Sequence, residues 1–174
     1  MSTESQTEAD WDNLTDGLWQ MYERLGNGDQ AELRRGLPSE PFWRMLGYIG
    51  REDVHEDDLS KWQTLIQCIA LSGYEGTPFG VALWRMGASE ERPEQPGYSK
   101  QRLKRLLEAD DDQLPTLLRH TAKQMRSADQ SANWNAARKL LFYDGDSAEK
   151  ARLRIAQQYY TYTTHSNQDD STDE

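Results

Sequence analysis

The stretch LSKWQTLIQCIALSG, residues 59–73, carries a broad apolar face. Its apolar side chains recur at intervals of three and four residues: Leu59, Trp62, Leu65, Ile66, Ile69 and Ala70. An α-helix has about 3.6 residues per turn, so this spacing places them on one side of a helix. We predict a helix that turns this side to the core and ends at Ser72-Gly73.

The same helical spacing extends over nearly the whole chain. It recurs between Trp11 and Leu25, within residues 41–49 and in the segments that follow residue 99. Glycines and capping residues such as Ser99 separate the segments. No segment alternates apolar and polar residues with hairpin turns, as strands would. The fold class is therefore predicted to be all-α, with about eight or nine helices in two small packed lobes.

A change of composition divides the sequence. Residues 87–98, GASEERPEQPGY, contain two glycines, two prolines and no apolar periodicity, which is typical of a linker. We predict an N-terminal helical lobe at 11–86 and a basic C-terminal helical lobe at 99–164. The polar ends, residues 1–10 and 165–174, are predicted to be disordered acidic tails because they also lack apolar periodicity.

Length and composition exclude several classes of protein. The chain has 174 residues, and its six tryptophans and eight tyrosines are enough to build a core. No stretch approaches the ~20 apolar residues of a membrane span, and the N-terminus lacks the basic and apolar regions of a signal peptide. A single cysteine, Cys68, excludes a disulfide framework and a cysteine-based zinc site. These features predict a cytoplasmic protein.

The formal net charge of −10 is unevenly distributed. Residues 1–10 carry −3 and residues 165–174 carry −4. Residues 11–99 hold 8 basic and 15 acidic side chains, whereas residues 100–154 hold 12 basic and 8 acidic ones. A basic half joined to an acidic half is a hint of a polyanion partner, although solvated helix faces explain it equally well on charge alone.

The sequence contains no pattern that indicates catalysis. The glycine-rich stretches lack the strand–glycine–helix context of phosphate-binding motifs, and no HExxH is present. The acidic residues around His55 could chelate a hard cation, but their spacing does not match a calcium loop and a solvated linker explains them better. Cys68 lies on an apolar face and is interpreted as a buried structural residue. We therefore predict no catalytic residue, no metal and no cofactor.

Basic side chains form stripes on the predicted helices. Arg119, Lys123 and Arg126 fall within about 60° of one another on a helix, opposite its apolar side. Contact with a phosphate backbone would use such a stripe. The candidate nucleic-acid-binding residues are Arg34, Arg35, Lys100, Arg102, Lys104, Arg105, Arg119, Lys123, Arg126 and Arg138. The alternative interpretation of each is an ordinary helix surface, or a cation favoured near a helix C-terminus.

The tryptophans also have two interpretations. Trp43, Trp62 and Trp134 lie at core spacing. Packing in the core is therefore preferred to base stacking for all three.

Five segments of the chain occur in a distinctive order. They are LGNGDQAELRRG at 25–36, PFWRMLGYI at 41–49, SKQRLKRLLEADDDQLPTLLRH at 99–120, WNAARKLLFYDGD at 134–146 and RIAQQYY at 154–160. This ordered set resembles the CasB family, the small subunits of type I-E CRISPR Cascade surveillance complexes. The resemblance covers roughly residues 11–162.

The resemblance implies an all-α protein of two lobes with no catalytic activity, present in two copies beside the RNA-bearing backbone subunits. It also implies that basic residues help to hold the displaced non-target DNA strand and to stabilise the R-loop. The residues that match basic positions of the family's pattern are Arg34, Arg35, Lys100, Arg102, Arg105, Arg119 and Arg138. Lys123 and Arg126 come from the stripe alone.

The leading hypothesis is a non-enzymatic Cascade subunit that contacts single-stranded target-site DNA. Its expected partners are the backbone and large subunits with their guide RNA, and a second copy of itself, but no membrane. The alternative is a purely protein-binding helical adaptor without direct nucleic-acid contact. A small metal-dependent enzyme that uses the acidic segment around His55 is the least favoured hypothesis.

Overall fold

The computed structural model describes the backbone of residues 3–50, 54–86 and 95–169, and the side chains of residues 12–50, 54–86 and 95–162. Within these ranges the chain forms nine α-helices and no strand apart from an isolated bridge between Tyr74 and Ala132. The helices are α1 (Thr3–Glu23), α2 (Asn27–Arg35), α3 (Glu40–Tyr48), α4 (Glu56–Ser72), α5 (Phe79–Arg85), α6 (Lys100–Glu108), α7 (Leu114–Ser127), α8 (Asn135–Phe142) and α9 (Gly145–Asp169). The predicted all-α fold class is confirmed. None of the helices in the described ranges is both long and apolar enough to cross a membrane.

Helix α4 is the centre of the fold. It packs against α1, α2, α7 and α8, and the run from Thr64 to Ala70 is buried without interruption. A helix that is buried on nearly all sides lies inside the bundle. The helix ends at Ser72, as predicted, and Gly73 follows at φ 81°, a conformation that favours glycine.

The two predicted lobes share one core. Helix α4 packs on α7, and α5 packs on α9, so each half of the chain supplies an element to the other. One continuous cluster of buried side chains extends from Leu18 in α1 to Tyr159 in α9. The halves therefore depend on each other for their hydrophobic contacts.

Both end helices are longer than the sequence predicted. Helix α1 begins at Thr3 and α9 continues to Asp169, so both enter the segments predicted to be disordered tails. Apolar periodicity identifies only the part of a helix that packs against the core. A helix that is already formed can extend into polar sequence, because each added residue contributes one more backbone hydrogen bond. Residues 1–2, 87–94 and 170–174, which include most of the predicted linker, lie outside the described residues.

The three tryptophans differ in their environments. Trp62 and Trp134 are buried, as predicted, but Trp43 is 50% exposed and the prediction of a core position for it is wrong. Helix α3 has only nine residues, and its core-facing positions are occupied by Phe42 and Met45, which lie close to Trp43 in the sequence. Trp43 contacts Phe42 edge-on at the surface, with ring centroids 5.3 Å apart.

Gly80 allows α5 to lie directly against α9. A Cβ at this position would overlap the backbone oxygen of Ile155, which cannot swing away as a side chain can. We expect Gly80→Ala to lower the free energy of unfolding by about 1–3 kcal/mol, as overpacking does. Urea denaturation measures this change.

The matched control is Gly47→Ala in α3. A Cβ there meets no heavy atom within 4 Å, so the substitution should raise stability by about 0.5–1 kcal/mol through helix propensity. If both alanine variants are equally stabilising, α5 and α9 do not approach as closely as described.

Candidate nucleic-acid interface

Helices α6 and α7 form a hairpin that carries most of the predicted basic residues. Ser99 Oγ accepts a hydrogen bond from the backbone N–H of Arg102 at 3.2 Å and caps α6, as predicted. The hydroxyl of Tyr98 lies 3.0 Å from Thr121 Oγ1 and joins the start of α6 to the middle of α7. The start of α6 therefore lies beside the second half of α7.

A groove of about 440 Å³ opens where the start of α6 meets the end of α7. We call it the basic groove, and it is lined by Met86, Gly97, Arg102, Lys123, Gln124, Ser127 and Ala128. Arg102 and Lys123 are exposed and come from different helices. The described lining residues include no carboxylate but do include an amide and a hydroxyl. Phosphate contacts in proteins use this combination of groups.

The charge of this region acts on Tyr98, which lies beneath it. Burial raises the pKa of the Tyr98 hydroxyl, while the hydrogen bond with Thr121 and the positive charges of Arg102 and Arg105 oppose the rise. Arg105 is itself exposed, as is Arg126 at the end of α7. Four cations of the predicted set, Arg102, Arg105, Lys123 and Arg126, are thus available to solvent on this hairpin.

Lys100 and Lys104 lie on another side of α6. They border a second groove of about 490 Å³, the α6–α9 groove, lined by Lys100, Gln101, Leu103, Lys104, Leu107, Glu108 and Tyr160. Lys104 Nζ is 4.0 Å from Glu108 Oε1 in a pair that is largely solvent-exposed. Such a surface pair contributes little, so Lys104 stays available for another anion.

Arg119 does not continue the exposed stripe as the sequence predicted. It is partly buried, and its Nη2 donates to Thr64 Oγ1 of α4 at 3.1 Å. Its Nε is buried and has no hydrogen-bond partner among the described residues. Arg119 therefore joins α7 to α4, and the stripe retains only Lys123 and Arg126 as exposed members.

The two arginines of α2 have different environments. Arg34 Nη1 donates to the Tyr22 hydroxyl at 2.7 Å, and its backbone oxygen accepts from Gln67 Nε2. Arg35 is exposed. Neither residue lines the basic groove or the α6–α9 groove, so the structure does not bring them together with the α6 and α7 cations.

Arg138 is buried and does not reach the surface. It is 1% exposed, its Nε donates to Asn135 Oδ1 at 2.6 Å, and its guanidinium lies 5.1 Å from the centroid of the Tyr143 ring. The structure therefore places Arg138 in the core and not with the exposed cations of α6 and α7. A signal was present, because Arg138 lies one turn after Trp134 and one turn before Leu141, on the apolar side of α8.

The acidic segment around His55 serves as a helix start. His55 Nδ1 accepts a hydrogen bond from the backbone N–H of Asp57 at 3.2 Å and caps α4. Among the residues that the structure describes, no group of three or more His, Cys, Asp or Glu side chains is placed to hold a metal ion. Burial raises the pKa of the Cys68 thiol from 9.0 to about 12, although the Arg119 charge opposes this. A thiol with such a pKa stays protonated at neutral pH and is a poor nucleophile.

Sequence reasoning overlooked Tyr160. Its neighbour Tyr159 is completely buried in the core. Adjacent residues differ by about 100° around a helix, and this rotation leaves Tyr160 47% exposed in the α6–α9 groove. An aromatic residue just beside a core position was the available signal.

These features define an all-α protein with a basic helical hairpin and no metal cluster in its described part. The family model of the CRISPR-associated protein Cse2 matches residues 29–160. The chain belongs to this family, and the resemblance to CasB proteins noted from the sequence is confirmed.

Solved structures have the same fold. The chain is similar to M. ruber CasB in a crystal structure, with a TM-score of 0.67 and 18% identity over 89% of this chain and 97% of that one. It is also similar to a chain in the crystal structure of E. coli Cascade bound to a PAM-containing double-stranded DNA target, with a TM-score of 0.58 and 19% identity over 86% of this chain and 95% of that one. A comparison with curated proteins found no match.

Proposed function

We propose that the protein is the small, non-enzymatic subunit of a CRISPR Cascade surveillance complex and stabilises the R-loop. In this proposal its basic groove contacts the displaced non-target DNA strand and the ribonucleoprotein backbone. Its partners are the other Cascade subunits with their guide RNA and a second copy of itself, in the cytoplasm. Membership of the Cse2 family supports the assembly, and a similar chain is part of E. coli Cascade bound to a DNA target.

The basic groove is the observation that carries the nucleic-acid contact. Arg102 and Lys123 come from two helices and converge on one groove whose described lining residues include no carboxylate. A phosphate there would meet two cations and, among the described lining residues, no carboxylate. R-loop formation is nearly balanced in base pairing, so a few such contacts to the displaced strand are enough to shift it.

The net negative charge of the chain favours nucleic-acid contact within an assembled complex over binding of free DNA. The net charge of −10 opposes the approach of free DNA to the isolated protein. Within a complex, the guide RNA opens the duplex and presents the displaced strand at short range. Contacts inside the Debye length of about 8 Å then depend on local charge rather than on the net charge.

Charge reversal in the basic groove and at the neighbouring Arg105 tests the proposal. We expect Arg102→Glu, Arg105→Glu and Lys123→Glu together to shorten the lifetime of the R-loop formed by the assembled complex. Each lost phosphate contact to a single strand lowers the slope of log affinity against log salt by about 0.7, so a loss of three contacts lowers it by roughly 2. R-loop lifetime is measured at several salt concentrations on a supercoiled target.

The control reverses the same number of charges elsewhere. Arg24, Lys150 and Arg154 are exposed and lie outside the basic groove, so their Glu variants should leave R-loop lifetime and salt slope unchanged. Equal R-loop lifetimes for the groove variant and the wild type would overturn the proposal. If complexes also assemble normally and photo-crosslinks from α6 and α7 reach protein but no DNA, the adaptor alternative holds.

A further inference from the structure

The Tyr160 ring lies at the surface beside a buried tyrosine. The adjacent Tyr159 is completely buried, and its hydroxyl donates to the backbone oxygen of Tyr98, immediately before the residue that caps α6. This bond fixes α9 against the start of α6. The ring of Tyr160 meets that of Tyr159 edge-on, with centroids 5.1 Å apart and planes at 80°. The exposed ring of Tyr160 thus lies directly beside the contact that anchors α9 to the start of α6.

The surroundings of this ring combine apolar and basic groups. Leu103 and Leu107 line the same groove, and the exposed Lys100 and Lys104 border it. Glu108 is the one carboxylate among the described lining residues, and its charge is outweighed by those of Lys100 and Lys104. Sites for single-stranded nucleic acid combine an aromatic ring with neighbouring cations in this way. Protein interfaces, by contrast, are depleted of lysine.

We propose that the α6–α9 groove is a base-stacking site for single-stranded nucleic acid, in which Tyr160 stacks on an unpaired base and Lys100 and Lys104 contact the flanking phosphates. The inference rests on the proposed function and deepens it, because it adds a contact to the base itself. Stacking accepts any base and therefore gives no sequence preference. It requires an unpaired base, so the site distinguishes a displaced strand from duplex DNA.

The test compares two oligonucleotides that have the same length and charge. The full-length protein is titrated to high concentration, because its net charge weakens the binding of free strands. The ligands are a labelled oligothymidylate of about 12 nucleotides, within the ~4–16 nucleotides of typical single-strand sites, and an abasic strand of that length. We expect the wild type to bind the strand with bases about fivefold or more tightly than the abasic strand. Tyr160→Ala should remove this preference, and Tyr160→Phe should retain it because the ring remains.

Tyr48→Ala is the matched control. Tyr48 is 63% exposed on α3, outside the α6–α9 groove, so its loss should leave the preference unchanged. Equal binding of both strands by the wild type, binding of neither, or a preference that persists in Tyr160→Ala would overturn the stacking site. A Tyr160→Ala variant that keeps the preference but no longer co-purifies with the complex would assign the groove to a protein partner.

The two proposals fail separately. The R-loop lifetimes of the Arg102, Arg105 and Lys123 variants test the electrostatic function and do not involve Tyr160. If those lifetimes shorten as expected while the oligonucleotide preference is absent, the stacking site alone is rejected.

Discussion

Trp134→Ala is expected to lower the free energy of unfolding by about 3–5 kcal/mol, as the truncation of a buried tryptophan does. The side chain is fully buried, and its Nε1 donates to Ser72 Oγ at 2.7 Å and to the Gly73 backbone oxygen at 3.1 Å. Its ring meets Phe79 edge-on at 5.2 Å. Trp134 thereby joins the end of α4 to the starts of α5 and α8. Urea denaturation monitored by circular dichroism measures the loss.

Two further variants make this result interpretable. Trp134→Phe keeps an aromatic ring and removes the hydrogen-bond donor, so it should lower the free energy of unfolding by less than Trp134→Ala does. It should therefore remain folded even if the alanine variant does not fold. Trp43→Ala removes a tryptophan that is 50% exposed and should cost no more than about 1 kcal/mol. Similar losses for Trp43→Ala and Trp134→Ala would contradict the different roles given to the two residues.

Apolar periodicity predicts which residues are helical more reliably than it predicts which of their side chains are buried. The predicted apolar residues from Trp62 to Ala70 are all buried, because α4 is surrounded by other helices. Trp43 has the same kind of spacing and lies half-exposed at the surface. Spacing fixes the side of the helix on which a residue lies, whereas the packing of other helices decides whether that side is buried.

The candidate interface was also predictable only in part from the sequence. The cations of α6 and α7 could be identified from the sequence, because they lie on helices with clear apolar sides. The convergence of Arg102 with Lys123 depends on how the hairpin folds back. The pairing of Tyr160 with Lys100 and Lys104 depends on α9 packing beside α6, across more than fifty residues of chain. No local pattern encodes contacts over that separation.

The positions of the charged residues in the fold change how the net charge is interpreted. The acidic N-terminal half supplies much of the core through α4 and α5, and the basic half supplies the exposed cations of α6 and α7. Since the halves share one core, the acidic and basic surfaces belong to one folded body. The charge asymmetry therefore describes two surfaces of one subunit, of which the basic one meets the nucleic acid in our proposal.

Arg138→Met is expected to destabilise the fold by about 3 kcal/mol and to leave R-loop lifetime unchanged in complexes assembled from folded protein. Methionine keeps much of the apolar stem, so the loss comes from the charged hydrogen bond to Asn135 and the contact with the Tyr143 ring. Asn135 also donates to Asp12 Oδ1 at 2.8 Å, so the substitution should loosen α1 as well.

The control is Arg126→Met on the exposed end of α7, which should change stability by less than about 0.5 kcal/mol. A stable Arg138→Met protein with a shortened R-loop lifetime would return Arg138 to the nucleic-acid contacts and refute its role in the core.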